Sequence, residues 1–574
     1  MSSLRITTSC LLAAGALSLL TPQLAEACGG TFCDAGPTVM PVDQTGESIV
    51  FWIDEGGSEP FTEAHIQIQY EGNDAERFAW IIPVMEVPEV LVGSQNLFDN
   101  LLAATVPTFT TTTQFIDDCD GFGGFCLFAA SDSAAEFDSG FTGGFGGESS
   151  GGDTMGDGPE ILDRGVAGAF EYVTLTGDNI EEIITWLDDS GYAQDDEAPP
   201  ILQEYLDEGF VFTAVKLQSG AGVDEIHPLA IRYPGTEPCI PIRLTRIAAI
   251  EDMAIRAFFL GDQQVASSNW PRVVLNHSRF DWVNGPSTNY NEVVSLAVDE
   301  AGGRAFVTEY AGTDAVVSTS GIYSNQWNPA AYEGIEPTEV VNNLTAQGLM
   351  FCSGADCGFS HLQVEALLEK YLPAPDNVAR GDFWSCLECF PDLIDQEAWA
   401  QSPGFAADFA ERISIPGEHA VDMLADASQL TRLFTLLSPH EMIEDPLFHP
   451  VSGLSPVDSN ISATRFNHCS NAPSYFELED GTQVAVDDSG TMPDVEDNPA
   501  AATIERVPAS GPPQVETDNR DQITKVLDNY NRGRLVGPSG DLCSVGRDRN
   551  SSEGLLALLG IFGIAFASRR RRSS

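Results

Sequence analysis

The two ends of this chain constrain it most, because each carries a continuous apolar run with charge at its flank. Leu11 to Leu20 follows the basic residue Arg5 and precedes Ala25-Glu26-Ala27, a small-x-small cleavage pattern. This is the form of a secretory signal, so residues 1–27 are expected to be removed and the mature chain to begin at Cys28. At the other end, Gly554 to Ala567 supplies 14 uncharged residues, followed by Arg569, Arg570, Arg571 and Arg572. A full span needs about 20 residues, so this segment is short, yet an arginine block behind an uninterrupted apolar run is a stop-transfer pattern with its basic side in the cytoplasm. Residues 554–574 are read as a transmembrane or sorting tail. The body between the ends is expected to be exported and held at the cell envelope or cell surface, with the membrane as its partner through that tail.

Charge agrees with this address. The chain has 86 carboxylates against 27 lysines and arginines, a formal net charge of −59. Residues 1–27 are neutral and residues 554–574 hold +4, which leaves −63 on residues 28–553. Such a body repels phosphate, so nucleic acid is excluded as a partner. It stays soluble in a salty medium, where screening blunts self-repulsion, and it collects divalent cations without a dedicated site. Hydrophobic residues make up 43%, enough for packed cores.

With Cys10 in the signal and Cys543 assigned to the tail signal, ten of the twelve cysteines remain: Cys28, Cys33, Cys119, Cys126, Cys239, Cys352, Cys357, Cys386, Cys389 and Cys469. Eight form close pairs, and an exported chain oxidises such pairs. Local bridges 28–33, 119–126, 352–357 and 386–389 are the simplest arrangement, leaving Cys239 for Cys469, although spacing alone does not fix the connectivity.

Residue patterning suggests an α+β fold, sheet-rich first and more helical later. Glu47 to Asp54, Ala64 to Tyr70 and Arg77 to Met85 read as strands, and Ser94 to Ala104 as a helix capped by Ser94. Residues 131–158 are Gly-rich and acidic and read as a flexible insert. Strands are expected at Phe210 to Leu217, Ile240 to Ala249, Ile255 to Leu260 and Glu292 to Val298, within a sheet-rich domain over 28–334. Residues 335–487 are expected to be richer in helix, with His361 to Tyr371 amphipathic, Ala420 to Leu437 helical and Tyr475 to Val486 a hairpin around Asp480-Gly481. Residues 488–553, acidic and Pro-rich, read as a linker to the tail.

Several motifs occur in a fixed order near the mature N-terminus. Cys28-Gly29-Gly30-Thr31-Phe32-Cys33 is followed by Pro41-Val42-Asp43-Gln44-Thr45-Gly46-Glu47. Then come His65-Ile66-Gln67-Ile68-Gln69-Tyr70-Glu71-Gly72 and Phe78-Ala79-Trp80-Ile81-Ile82-Pro83-Val84. This series resembles the exported bacterial family called domain of unknown function 2330, most strongly over residues 28–110 and continuing to about 370. The resemblance implies an exported bacterial protein and carries no activity. Cys543 in a polar stretch, then a short apolar helix and Arg569 to Arg572, resembles the MYXO-CTERM sorting tails of myxobacterial exported proteins, with a longer spacer between Cys543 and Gly554.

No motif fixes a chemistry. Cys386-Leu387-Glu388-Cys389 could serve as a redox dithiol, or with Cys352, Cys357 and His361 as a zinc site, but the export signal favours disulfides. Asp117-Asp118-Cys119-Asp120-Gly121 offers oxygens to calcium without the bidentate acid such a loop requires, so calcium is a weak possibility and no other cofactor is expected. His440-Glu441-Met442-Ile443-Glu444 starts like a zinc-protease helix but has Glu444 where the second histidine belongs. The chain is therefore read as a surface-anchored protein of structural or interaction role, its protein or surface partner unassigned. The alternative is an extracytoplasmic hydrolase with a site assembled from distant residues, for which His65, Glu71 and Trp80 are the first suspects.

Overall fold

The computed structural model describes residues 31–34, 46–67, 78–116, 159–189, 192–193, 198–218, 225–247, 249–468 and 473–535. The fold is α+β. Its frame is a ten-stranded sheet running, in spatial order, Gln514–Asp518, Ala501–Arg506, Arg272–Leu275, Phe306–Gly312, Gln429–Leu437, Met253–Gly261, Gly46–Asp54, Phe61–Gln67, Leu229–Pro234 and Glu89–Val92. The Gly46–Asp54 strand (GESIVFWID) is rich in β-branched and aromatic residues, which suit a pleated surface buried on both sides. It pairs in parallel with Met253–Gly261 and antiparallel with Phe61–Gln67.

The two faces of this sheet are covered differently. Val50, Phe258 and Leu260 point to one face. There they pack against Leu97, Phe98 and Leu101 of the Gln95–Thr105 helix and Ala420, Met423 and Leu424 of the Ile415–Asp426 helix. Ile49, Phe51, Ala64 and Ile231 point to the other, toward a six-stranded sheet ordered Glu160–Ala167, Phe170–Thr176, Val211–Leu217, Phe78–Val84, Thr31–Asp34 and Tyr192–Ala193. The period of two along each strand thus sends neighbouring residues into separate compartments.

A smaller helical core is built from Tyr332, Leu344, Leu367, Tyr371, Phe383, Trp384, Phe405 and Phe409. Disulfides Cys352–Cys357 and Cys386–Cys389 lie beside it. The first joins the strands Met350–Ser353 and Asp356–Phe359, and the second closes the 3-10 turn Leu387–Cys389.

The structure corrects several expectations. Ala420 to Leu437 is a helix only as far as Asp426; Gln429–Leu437 is a central strand with nearly every residue buried. This strand is enclosed on both faces, and even its polar Thr431, Arg432 and Thr435 are buried, so no alternation of period two marks it and the run is ambiguous with helix. Glu292 to Val298 lies inside the Tyr290–Glu300 helix, whose buried residues Tyr290, Val293, Val294, Ala297 and Val298 follow helical spacing. Ile240 to Ala249 contains the short helix Ile242–Thr245 in place of a strand. Residues 488–535 are folded: Ala501–Arg506 and Gln514–Asp518 extend the large sheet, and the Arg520–Asn531 helix buries Ile523 and Leu527. Their prolines all fall in the connections, which concealed the short strands between them. The insert 131–158, the tail 554–574 and Cys543 lie outside the described residues. Among the described residues no helix is long and apolar enough to cross a membrane.

Candidate metal centre

Three side chains with metal-binding atoms converge on the helix-covered face of the large sheet. Glu63 and His65 are two apart on the Phe61–Gln67 strand and therefore share that face. His419 comes from the Ile415–Asp426 helix, which follows a π-helical turn at Ala410–Ser414. The three ligand atoms lie within 4.8 Å of one another. Glu63 and His65 are 0% and 1% exposed, while His419 retains 26% exposure and opens the cluster toward solvent on one side.

Glu63 is the hub. His65 Nε2 donates to its Oε1 at 2.7 Å and His419 Nε2 donates to the same oxygen at 2.6 Å. Its second oxygen accepts from Arg232, at 2.8 Å from Nε and 2.7 Å from Nη2. Register explains Arg232: it stands opposite Glu63 on the adjoining Leu229–Pro234 strand, with Trp52 opposite on the other side. Burial alone would raise the Glu63 pKa, but the hydrogen bonds from His419 and His65 and their positive character outweigh it and hold the carboxyl well below the ordinary range. The site therefore keeps a buried carboxylate.

The surroundings shape the imidazoles. The two rings stack with centroids 6.2 Å apart, and Trp52 meets His419 edge-on at 5.7 Å. His65 Nδ1 is buried without a hydrogen-bond partner. It faces Gly93, where an added Cβ would stand 3.2 Å from Nδ1 and 2.9 Å from Pro228 Cβ, so a side chain at that position would crowd the ring.

Two imidazole nitrogens and one carboxylate oxygen match the ligand preference of zinc and related first-row ions, and three protein ligands leave at least one coordination position open. Arg232 would orient the carboxylate from behind, as outer groups do in metal sites. Metal entry must replace the two N–H···O bonds with nitrogen lone pairs, which in a neutral imidazole requires the proton to sit on the other ring nitrogen.

Other buried charge clusters have a different composition. Asp408 accepts from Lys370 at 2.9 Å and Tyr371 at 2.7 Å. Asp445 accepts from Arg243 and Tyr205, and Glu309 from Tyr290, with Arg432 Nε at 2.6 Å. Each pairs its carboxylate with a permanent cation and a phenol, which pins neighbouring elements together and offers no nitrogen lone pair.

Of the three residues suspected from the sequence, His65 is in the cluster, and Trp80 lies on the smaller sheet, lining the space between it and the opposite face of the large sheet. Glu71 is outside the described residues. Glu63 and His419 escaped notice because no local spacing links positions 63 and 419. The zinc reading of Cys352, Cys357, Cys386, Cys389 and His361 is overturned, since the four thiols are paired as disulfides. Burial pushes the His361 pKa down to about 3, and its Nδ1 accepts from the Gln363 amide. Cys239, expected to bridge to Cys469, is a free thiol whose pKa burial raises. Cys469 lies outside the described residues, as do Cys28, Cys119, Cys126 and the acidic loop at Asp117; of Cys33 only the backbone strand is described. His440 and Glu441 form a capped 3-10 turn with Ser438, not a metal-binding helix.

A family model described as an uncharacterized protein conserved in bacteria, DUF2330, matches residues 22–351, more than half of the chain. The match includes Glu63, His65 and Arg232 and stops short of His419. No curated protein and no solved structure matches.

Proposed function

The chain belongs to DUF2330, an uncharacterized bacterial family, and from that premise we propose that it is an exported, surface-anchored protein whose body holds one transition-metal ion. The observation that carries the metal reading is the meeting of Glu63, His65 and His419 within 4.8 Å, with two of the three buried. Export and anchoring rest on the terminal segments and on the −63 body charge; the metal reading rests on the site alone. The ion would tie the Ile415–Asp426 helix to the sheet and leave a coordination position facing solvent beside His419, where a water or an oxygen or nitrogen of a partner could bind. Glu63 has both oxygens engaged, so it serves as ligand and not as a general base.

The test is metal content and affinity of the full chain, by elemental analysis after purification without chelator and by calorimetric titration of the stripped protein with Zn²⁺. One equivalent per chain is expected, lost in His65→Ala and His419→Ala. Sub-stoichiometric binding that is the same in both variants would make the cluster a purely structural hydrogen-bond hub.

A further inference from the structure

The other face of the same strands encloses a second feature. Ile49, Phe51, Ala64 and Ile231 of the large sheet and Trp80 and Ile82 of the smaller one line a cavity of about 190 Å³ between the sheets. Two carboxyl groups line this apolar space, the exposed Glu237 and the buried Glu47. Glu47 is 8% exposed, and its Oε2 has no hydrogen-bond partner. None of the described lining residues is Lys, Arg or His. A buried carboxyl without a donor or cation is expensive to maintain, and a ligand that supplies the missing partner would recover that cost.

We propose that this cavity binds a small apolar amine, its ammonium group on Glu47 and its hydrocarbon body between the two sheets. Size sets the scale: a cavity of about 150 Å³ accommodates benzene, so this one has room for one ring and a short chain. Charge sets the sign. A body carrying −63 enriches cations at its surface and disfavours anionic amphiphiles. The chemistry is non-covalent, one ammonium donating to one carboxylate. This site is separate from the metal cluster, whose ligands point to the opposite face.

The groups around Glu47 set its pH response. Tyr233 lines the cavity from the Leu229–Pro234 strand, and Glu237 and Cys239 line it from the connection that follows. Asp445 approaches from beyond and is paired with Arg243 at 3.0 Å. Arg256 lies on the adjoining strand opposite Ser48, hence toward the other face. Burial, then the Asp445 charge, raises the Glu47 pKa to about 7. Below neutrality an arriving ammonium must therefore displace a proton from Glu47.

The full chain is titrated calorimetrically with 2-phenylethylamine, 2-phenylethanol and 3-phenylpropionate at pH 8, with Trp80 fluorescence as a second signal. The amine is expected to bind at least tenfold more tightly than the alcohol, and the acid not at all. Glu47→Gln should bring the amine to the level of the alcohol without weakening the alcohol, and Ala64→Leu should weaken both by filling the space. In wild type at pH 6, titrations in buffers of different ionisation enthalpy should show one proton released per amine bound, a readout that does not depend on any variant folding. Equal affinity for amine and alcohol in wild type, an unchanged amine preference in Glu47→Gln, an alcohol bound tightly with no proton release, or no binding of any probe by folded protein would each overturn the proposal.

Discussion

Glu47 and Glu63 sit on adjoining strands, one on each face of the same sheet, and their surroundings drive their protons in opposite directions. Glu47 meets apolar side chains and has its pKa raised to about 7 by burial and Asp445. The folded state then binds more protons than the unfolded state between the ordinary value of 4.5 and about 7, so this residue makes stability fall as pH rises through that window. Glu47→Gln should be close to neutral at pH 4.5 and should stabilise the protein by about 3 kcal/mol at pH 8, read as the difference in urea denaturation between variant and wild type. Glu63 is the reverse case. Its carboxylate is favoured in the fold, so its contribution is fully present above the ordinary carboxylate pKa and is lost as pH falls below it. Glu63→Gln in chelator should cost about 3–5 kcal/mol at pH 7, as breaking a buried ion pair does, and the deficit should shrink as the pH is lowered toward 3. A deficit independent of pH would mean that packing and not charge makes Glu63 valuable.

Among the elements, the Ile415–Asp426 helix and the Gln429–Leu437 strand carry the most consequence. The helix approaches its neighbour so closely at Gly417 that an added Cβ would lie 2.3 Å from the Ile322 carbonyl oxygen. Gly417→Ala must displace the helix, and His419 is two residues further on. The variant should lose about 1–3 kcal/mol of stability and bind Zn²⁺ at least tenfold more weakly; normal metal affinity in a folded variant would show that His419 is not a ligand. The strand lies between Phe306–Gly312 and Met253–Gly261 at the middle of the sheet. Its amides should be among the slowest to exchange with deuterium, since central strands open only with global unfolding. Helix and strand were indistinguishable there from sequence because a run buried on every side has no polar face to mark its period.

For the whole molecule, the segment after residue 487 decides whether the sheet is complete. Ala501–Arg506 pairs with Arg272–Leu275, and its Ala501, Thr503 and Ile504 are buried. Ending the chain at residue 487 would bare the edge of Arg272–Leu275 and uncover Val484, which packs with Ile523 and Leu527. Such a protein should aggregate on expression, because an exposed hydrophobic edge strand templates association; a soluble monomer with an unchanged melting temperature would show that the segment is dispensable. Deleting only residues 554–574, by contrast, should leave the body folded and release it into the medium if the tail is the anchor. A truncated protein that stays membrane-bound would show that this tail is not the anchor.

The sequence by itself determined the α+β class, the family through an ordered set of motifs, and the close cysteine pairs 352–357 and 386–389. These are carried by local periodicity and by residues a few positions apart, so no knowledge of distant contacts is needed. The tertiary structure alone decided which titratable groups meet. Alternation along Phe61–Gln67 places Glu63 and His65 on one face in any sheet, but sheet order brings Arg232 opposite Glu63, and helix packing brings His419 across 356 positions of chain. The same holds for Glu47, whose raised pKa depends on a second sheet closing over it. Local patterning states which way a side chain points; only the packed fold determines what it meets there.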